Sequence, residues 1–110
     1  MKKIDHELIV CIVNEGFADQ VMAAAREAGA TGGTVIRARG TANKDAETIF
    51  KITIDPKKEM VMILVGTAIK EQVLNILYDK VGLQTPGQGI AFALPVDNVV
   101  GLSENIVDKN

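Results

Sequence analysis

The chain has 110 residues, and with 47% of them apolar it can build one domain around a hydrophobic core. Its net charge of −2 gives no general reason to expect nucleic-acid binding, and we expect none. The single cysteine excludes an intrachain disulfide and a CxxC metal pair. Because the first apolar run is too short for a signal peptide and no run approaches the roughly 20 residues of a membrane span, we expect a soluble, cytoplasmic protein.

The first third of the chain predicts a strand, a helix and a second strand. The branched apolar run Glu7–Val13 is typical of a strand that is buried on both faces or nearly so, with Cys11 as a buried, inert thiol. Apolar residues recur at helical spacing over Phe17–Ala28, and Gly29 follows where a helix commonly ends in a left-handed residue. Thr34–Ala38 predicts the second strand.

The middle of the chain is polar at first and then strongly apolar. Residues 41–47 are typical of a turn, residues 48–54 alternate in character, and residues 55–58 predict another turn. Met60–Val65 then predicts a buried strand. Half of the twelve basic residues lie in or beside this region, which indicates either a local positive field or a solvated hairpin. These residues are Arg37, Arg39, Lys44, Lys51, Lys57 and Lys58.

The last third predicts a second helix and a final strand. Thr67 is a plausible N-cap for the helix, and Gly82 ends it. Leu83–Gly89 is a loop, Ile90–Val96 predicts the last main strand, and residues 98–102 could add a short one. The apolar stripe of this helix is Ile69, Val73, Ile76, Leu77 and Val81.

The predicted order of main elements is strand, helix, strand, strand, helix, strand. This is the order of the split βαβ, or ferredoxin-like, fold: an α+β (βαββαβ) domain with an antiparallel sheet and both helices on one face. We expect residues 1–110 to form a single such domain. The strands have few polar residues to leave in water on the other face, so self-association into a closed oligomer is expected to cover it.

No catalytic constellation is evident from the residues. His6 is the single histidine and has no partner nearby in sequence for a triad or a metal site. There is no Walker A sequence and no G-x-G-x-x-G opening a helix after a strand. Acyl-phosphate hydrolases of this fold need an arginine in the loop after the first strand, and here that loop reads NEGF. An enzyme is therefore disfavoured.

Two glycine-rich turns could bind a ligand. Gly32, Gly33 and Gly40 flank the second predicted strand, and residues 86–89 lead into the last one. Glycines let a ligand approach backbone N–H groups, and successive N–H groups can bind an anion. The alternative is that these turns need glycine for their own geometry.

Three segments together resemble the PII signal-transduction proteins: AREAGATGGTVIRARG, KKEMVMILVG and TPGQGIAFALPVDNVVGL. The resemblance runs from the first strand to about Leu102. It implies a homotrimer of ferredoxin-like domains whose sheets face inward. It also implies a sensor and not an enzyme, with adenine nucleotides bound in clefts between subunits. A mobile T-loop, here residues 41–53, would dock on a target protein, either a membrane transporter or a nitrogen-metabolism enzyme.

The resemblance assigns roles to individual positions. Thr34 matches a threonine that faces the adenine, and Leu64 matches a backbone contact to the base. Gly40 and Thr41 begin the T-loop. The phosphate-side loop is matched by Gly87, Gln88 and Gly89.

Three positions depart from the family pattern. A lysine and two arginines that contact phosphates are replaced here by Ile90, Gly101 and Ser103. Charge-assisted hydrogen bonds to phosphate contribute about 1.5–3 kcal/mol each, so ATP affinity should fall by several decades unless other cations replace them. The candidates for such replacement are Arg37, Arg39, Lys57 and Lys58.

The expected effector is therefore an adenine nucleotide with fewer phosphates or another small anion, with no obligatory cofactor; ATP, ADP, AMP and cyclic nucleotides are the candidates to test. The predicted T-loop also lacks a tyrosine, since Tyr78 lies in the second helix, so tyrosyl nucleotidylation is not expected. Two alternatives stay open. One is a trimeric structural or interaction module that has lost the pocket, and the other is an enzyme of the same fold.

Overall fold

The computed structural model describes residues 5–41 and 56–101. Within them, four strands and two α-helices follow one another in the predicted order: strand, helix, strand, strand, helix, strand. Their bounds are β1 His6–Asn14, α1 Ala18–Glu27, β2 Thr34–Arg39, β3 Lys57–Gly66, α2 Lys70–Val81 and β4 Ile90–Val96. The strands form one antiparallel sheet in the order β2-β3-β1-β4, which confirms the α+β, ferredoxin-like prediction.

The hydrophobic core lies between the two helices and one face of the sheet. Because side chains alternate between the faces of a strand, every second residue of the two central strands points toward the helices. Small alanines on α1 let that helix approach the sheet closely, and the apolar stripe of α2 closes the other side. The buried residues of this core include Ile9, Cys11, Val13, Val21, Ala24, Ala25, Val61, Ile63, Val73, Leu77 and Val81.

The opposite face of the sheet carries no helix and is apolar over most of its area, with polar residues toward its ends. In the strand register, Phe92, Val10 and Met62 form one row across β4, β1 and β3, and similar rows lie on either side. Phe92 is 43% exposed in the single chain. We call this surface the open face; its apolar residues are Leu8, Val10, Ile12, Ile36, Ala38, Met60, Met62, Leu64, Ile90, Phe92, Leu94 and Val96.

The two helices end at glycines for different reasons. Gly29 follows α1 with φ of +109°, the left-handed conformation that the sequence predicts. Gly82 follows α2 with φ of −66°, so it is not left-handed. A Cβ at Gly82 would lie 2.5 Å from the carbonyl oxygen of Tyr78, and it is this close approach that favours glycine there.

Three local predictions were wrong. β3 begins at Lys57 and not at Met60, because Lys57 and Lys58 pair with neighbouring strands instead of forming a turn. Thr67 caps no helix through its side chain: it opens a 3₁₀ turn, Thr67–Ile69, that precedes α2. Residues 97–101 form no strand. The predictions for residues 48–54, for Ser103 and for nearly all of the T-loop lie outside the described residues.

The first turn of α1 is held by a distant acidic residue. Its N-cap position, Phe17, makes no side-chain capping bond. Instead, the Oε1 atom of Glu59 on β3 accepts hydrogen bonds from the backbone N–H groups of Gly16 and Ala18, at 3.1 and 3.0 Å. A carboxylate at this position satisfies otherwise unpaired donors and faces the positive end of the helix dipole.

Changing Glu59 to Ala is expected to lower the free energy of unfolding by about 1–2 kcal/mol, the range found for loss of a helix cap. Urea unfolding at a fixed protein concentration measures it. Glu59→Gln is the matched control, since it keeps the accepting oxygen and loses only the charge, so its loss should be clearly smaller. Equal stability of Glu59→Ala and the unaltered protein would show that the two hydrogen bonds do not stabilise α1.

Candidate functional site

Several segments that are distant in sequence meet at one end of the sheet, in a region that we call the sheet corner. It consists of Asn14 at the end of β1, Gly40 after β2, Lys58 near the start of β3, and the loop Pro86–Gly89. Asn14 pairs with Lys58 in the β1–β3 ladder. The N–H of Gly40 donates to the carbonyl of Pro56 at 2.8 Å, and a Cβ at Gly40 would lie 3.4 Å from Lys58 Cε. The sheet corner thus brings together five predicted site residues, Gly40, Lys58, Gly87, Gln88 and Gly89, with Thr41 next in the chain.

Asn14 joins the parts of this corner by three hydrogen bonds. Its Oδ1 accepts from Lys58 Nζ at 2.8 Å, and its Nδ2 donates to the carbonyl of Pro86 at 2.9 Å. Its backbone N–H donates to the carbonyl of Gly87, also at 2.9 Å. The amide orientation follows from chemistry, because an ammonium group can only donate and a carbonyl oxygen can only accept.

Lys58 supplies a positive charge on the open-face side of this corner. Its side chain is half-buried, and the stem packs beside Gly40. Since Asn14 Oδ1 is a neutral acceptor, this contact orients the ammonium group without neutralising it. An ammonium group has three donors, so the remaining two are suited to a small anion.

The glycines of the loop differ in what they tolerate. A Cβ at Gly89 would lie 2.5 Å from the carbonyl oxygen of Val81 and 2.8 Å from Val13 Cγ1, distances that real Cβ atoms do not adopt. A Cβ at Gly87 would meet its nearest neighbours at 3.4 Å. Gly89 therefore has a packing role whatever the loop binds, as the alternative interpretation of the glycine turns proposed.

Internal hydrogen bonds use two of the N–H groups in this loop. Gln88 N–H donates to Thr85 O at 2.9 Å, and Gly89 N–H donates to Val81 O at 2.6 Å. Gln88 is exposed and has φ of +48°, an uncommon conformation for a residue other than glycine. An anion could use those two N–H groups only after the internal bonds break.

Thr34 and Leu64 lie far from this corner. Thr34 begins β2 opposite Met62, six residues before Gly40, which is about 20 Å along an extended strand. Leu64 lines a separate surface cavity of about 230 Å³ together with His6 and Gly29. One chain therefore does not bring the two predicted halves of the cleft together.

The candidate replacement cations divide between the two faces of the sheet. In the β2–β3 register, Arg37 lies opposite Glu59 and Arg39 opposite Lys57, all on the helix-bearing face. Lys58 lies opposite Ala38 and points to the open face. Within one chain, Lys58 is accordingly the predicted cation that shares a side of the sheet with the glycine loop and Asn14.

The structure describes two of the three positions that depart from the family pattern, Ile90 and Gly101. Ile90 starts β4 directly after the glycine loop, with 48% of its surface exposed on the open face and no charge to offer a phosphate. Gly101 has φ of +108°, where an arginine would be strained. Ile90 therefore offers no charge to a phosphate, and the conformation at Gly101 disfavours an arginine there.

Asn14 and Glu59 are the residues that sequence reasoning missed. In the sequence, Asn14 is only the first residue of the loop NEGF that follows the first predicted strand. A polar residue at the end of an apolar strand is a general signal for a sheet-edge contact, but its partners lie 44 and 72 residues away along the chain. Periodicity cannot identify such partners.

The cysteine is buried, as the sequence predicts. Cys11 is 1% exposed, and burial raises the pKa of its thiol to about 11, so the reactive thiolate is scarce near neutral pH. It forms the floor of an apolar cleft of about 300 Å³ between α2 and β4.

Of the residues that the structure describes, none belongs to a helix long and apolar enough to cross a membrane.

The family of this chain follows from its match to a protein-family model. The model described as nitrogen regulatory protein P-II matches residues 6–105. The chain belongs to the P-II family. P-II proteins are signalling regulators that form trimers and bind small effectors and target proteins.

Solved P-II structures share the fold. PII of Arabidopsis thaliana, solved with bound citrate, is 25% identical with a TM-score of 0.70, over 92% of this chain and 83% of that one. A putative PII-like signalling protein of Thermus thermophilus is 16% identical with a TM-score of 0.65, over 87% of this chain and 90% of that one, and this likeness shows the fold alone. No curated protein sequence matches the chain significantly.

Proposed function

We propose that this P-II protein is a trimeric sensor of a small anionic effector, most specifically an adenine nucleotide with few phosphates. The proposal rests on one observation: the neutral side chain of Asn14 holds the ammonium group of Lys58 beside the glycine loop. The effector would bind where the sheet corner of one subunit faces Thr34 and Leu64 of the next. This arrangement explains why the two predicted halves of the cleft lie at opposite ends of the sheet in one chain.

Charge favours a ligand of modest negative charge. Lys58 stands alone among the candidate cations on its side of the sheet, and Ile90 contributes none. Each missing charge-assisted bond removes about 1.5–3 kcal/mol of affinity for a polyphosphate. The citrate bound to the Arabidopsis relative supports a compact carboxylate as a second class of effector to test.

Effector binding would change the activity of a target protein. By analogy with the family, the loop at residues 41–53 would dock on a cytoplasmic enzyme or on a membrane transporter, and the protein would regulate that target instead of catalysing a reaction. The open face supports the trimer on which this depends, because Ile36, Ile90, Phe92 and Leu94 on its edge strands are exposed in the single chain and no helix covers the apolar residues between them.

A second candidate function is a trimeric interaction module without an effector. The two N–H groups already bonded inside the glycine loop favour it, as does the uncharged Ile90. The two candidates differ in one property, which is whether any small anion binds at Lys58.

Thermal unfolding of the purified protein against ATP, ADP, AMP, cyclic AMP and citrate tests the sensor. A ligand at a hundred times its dissociation constant should stabilise the folded protein by about 2.7 kcal/mol. Lys58→Met should weaken the active ligand about 10- to 100-fold, because a charge-assisted bond is lost. The matched control is Lys57→Met, which removes the same charge from the other face and should keep full affinity.

The possible outcomes separate the candidates. A stabilising ligand that is lost in Lys58→Met and retained in Lys57→Met supports the sensor. Equal affinity in both variants would place the site away from the sheet corner. No stabilisation by any member of the panel would favour the interaction module.

A further inference from the structure

Asn14 uses both ends of its side-chain amide, each on a different partner. The acceptor end holds the ammonium of Lys58, and the donor end holds the carbonyl of Pro86. We propose that Asn14 is a positioning residue that ties Lys58 to the glycine loop, so that the cation and the loop are oriented as one unit. The relevance of this unit to an anion rests on the proposed function, whereas the linkage itself does not.

The hydrogen bonds of Asn14 orient two consecutive peptide groups of the loop. The carbonyls of Pro86 and Gly87 both point toward Asn14, one accepting from its side chain and the other from its backbone N–H. In a planar trans peptide the next N–H points away from the carbonyl, so the N–H directions of Gly87 and Gln88 are set by the same contacts. Asn14 therefore helps to set how the loop presents its backbone, together with the bond from Gln88 N–H to Thr85 O.

The same side chain limits where the charge of Lys58 can go. A lysine has a flexible four-carbon stem, and an unrestrained ammonium group samples many positions. The bond of 2.8 Å to Asn14 holds one of its three donors, which directs the other two away from Asn14. Immobilising such a side chain before binding lowers the entropic cost of binding an anion.

An asparagine is the residue type that this position requires. Aspartate would accept from Lys58 but would place an oxygen against the Pro86 carbonyl and neutralise the cation. Alanine would release both partners while keeping the backbone bond to Gly87, so the fold of the strand end is expected to survive. These two substitutions separate the linkage from the charge.

The linkage is tested first without any ligand. Backbone amide ¹H–¹⁵N spectra of the full chain would be compared for the unaltered protein, Lys58→Met, Asn14→Ala and the double variant. We expect Lys58→Met to shift the Gly87 and Gln88 signals when Asn14 is present and to add no shift when Asn14 is Ala. Lys57→Met is the control and should leave these signals unchanged. Additive shifts in the double variant, or no response to Lys58→Met, would overturn the proposal.

Binding of ADP and of citrate tests the consequence. Loss of pre-positioning in Asn14→Ala should weaken the active ligand about 3- to 10-fold, and Asn14→Asp, which neutralises Lys58, should weaken it further. If Asn14→Ala bound as tightly as the unaltered protein, positioning by Asn14 would be disproved. If the unaltered protein bound neither ligand, the proposed function would fail for these probes, while the spectra would still decide the linkage.

Discussion

Changing Phe92 to Asp is expected to disrupt the proposed trimer and leave monomers. Phe92 lies halfway along the edge strand β4 on the open face, in one row with Val10 and Met62. A carboxylate in a buried apolar interface costs several kcal/mol unless it is paired. In a trimer closed through this face, the cost would be incurred in every subunit. Sedimentation velocity or light scattering at micromolar concentration would show the change in mass.

The monomer itself should tolerate this substitution, because the side chain of Phe92 is 43% exposed before any assembly. Retained secondary structure by circular dichroism would confirm that folding is intact. Tyr78→Asp is the matched control: Tyr78 is 71% exposed on α2, away from the open face, and the same added charge there should leave the mass unchanged. If Phe92→Asp kept the mass of the unaltered protein, the open face would not be the assembly surface.

Replacing Gly89 with Ala is expected to destabilise the fold strongly. The new Cβ would lie 2.5 Å from the Val81 carbonyl and 2.8 Å from Val13 Cγ1, and one of these neighbours is backbone that cannot rotate away. The hydrogen bond from Gly89 N–H to Val81 O would be displaced as well. Overpacking of this kind costs about 1–3 kcal/mol and occasionally more. Urea unfolding at a fixed protein concentration measures the loss.

Two other glycines of the chain make the comparison specific. A Cβ at Gly32 would have no neighbour within 4 Å, so Gly32→Ala should be neutral or stabilising by up to about 1 kcal/mol through the unfolded state. Gly87→Ala, with nearest neighbours at 3.4 Å, should fall between the two. Equal stability of all three variants would contradict the packing role of Gly89. Because Gly87 is the better tolerated position, it is the one to use when the loop is altered to test ligand binding.

Local patterns were sufficient for the elements of the fold. Runs of branched and apolar residues located all four strands within three residues of their observed ends, and the helical spacing of Val73, Leu77 and Val81 identified the buried side of α2. These patterns work because each element must bury one face, and the periods of 3.6 and 2 residues are imposed by backbone geometry. The family followed from three ordered segments, and the family model confirms it.

Local patterns were insufficient where partners come from different elements. Lys57 and Lys58 looked like equivalent turn residues, yet strand pairing places them on opposite faces of the sheet. No local pattern distinguishes Glu59 from other acidic residues, yet it holds the first turn of α1. In each case the deciding interaction is a hydrogen bond or a pairing across more than 15 residues of chain, and a local window of sequence contains only one of its partners.

The sequence by itself determined the order of the strands and helices, the apolar open face, the buried thiol of Cys11 and membership of the P-II family. Each of these depends on residue type and spacing within a segment. Only the tertiary structure decided that Lys58 shares the glycine loop's side of the sheet while Arg37 does not, and that Asn14 joins Lys58 to Pro86. The physical reason is strand register: a shift of one residue would exchange the two faces, and register is set by the packing of the whole sheet.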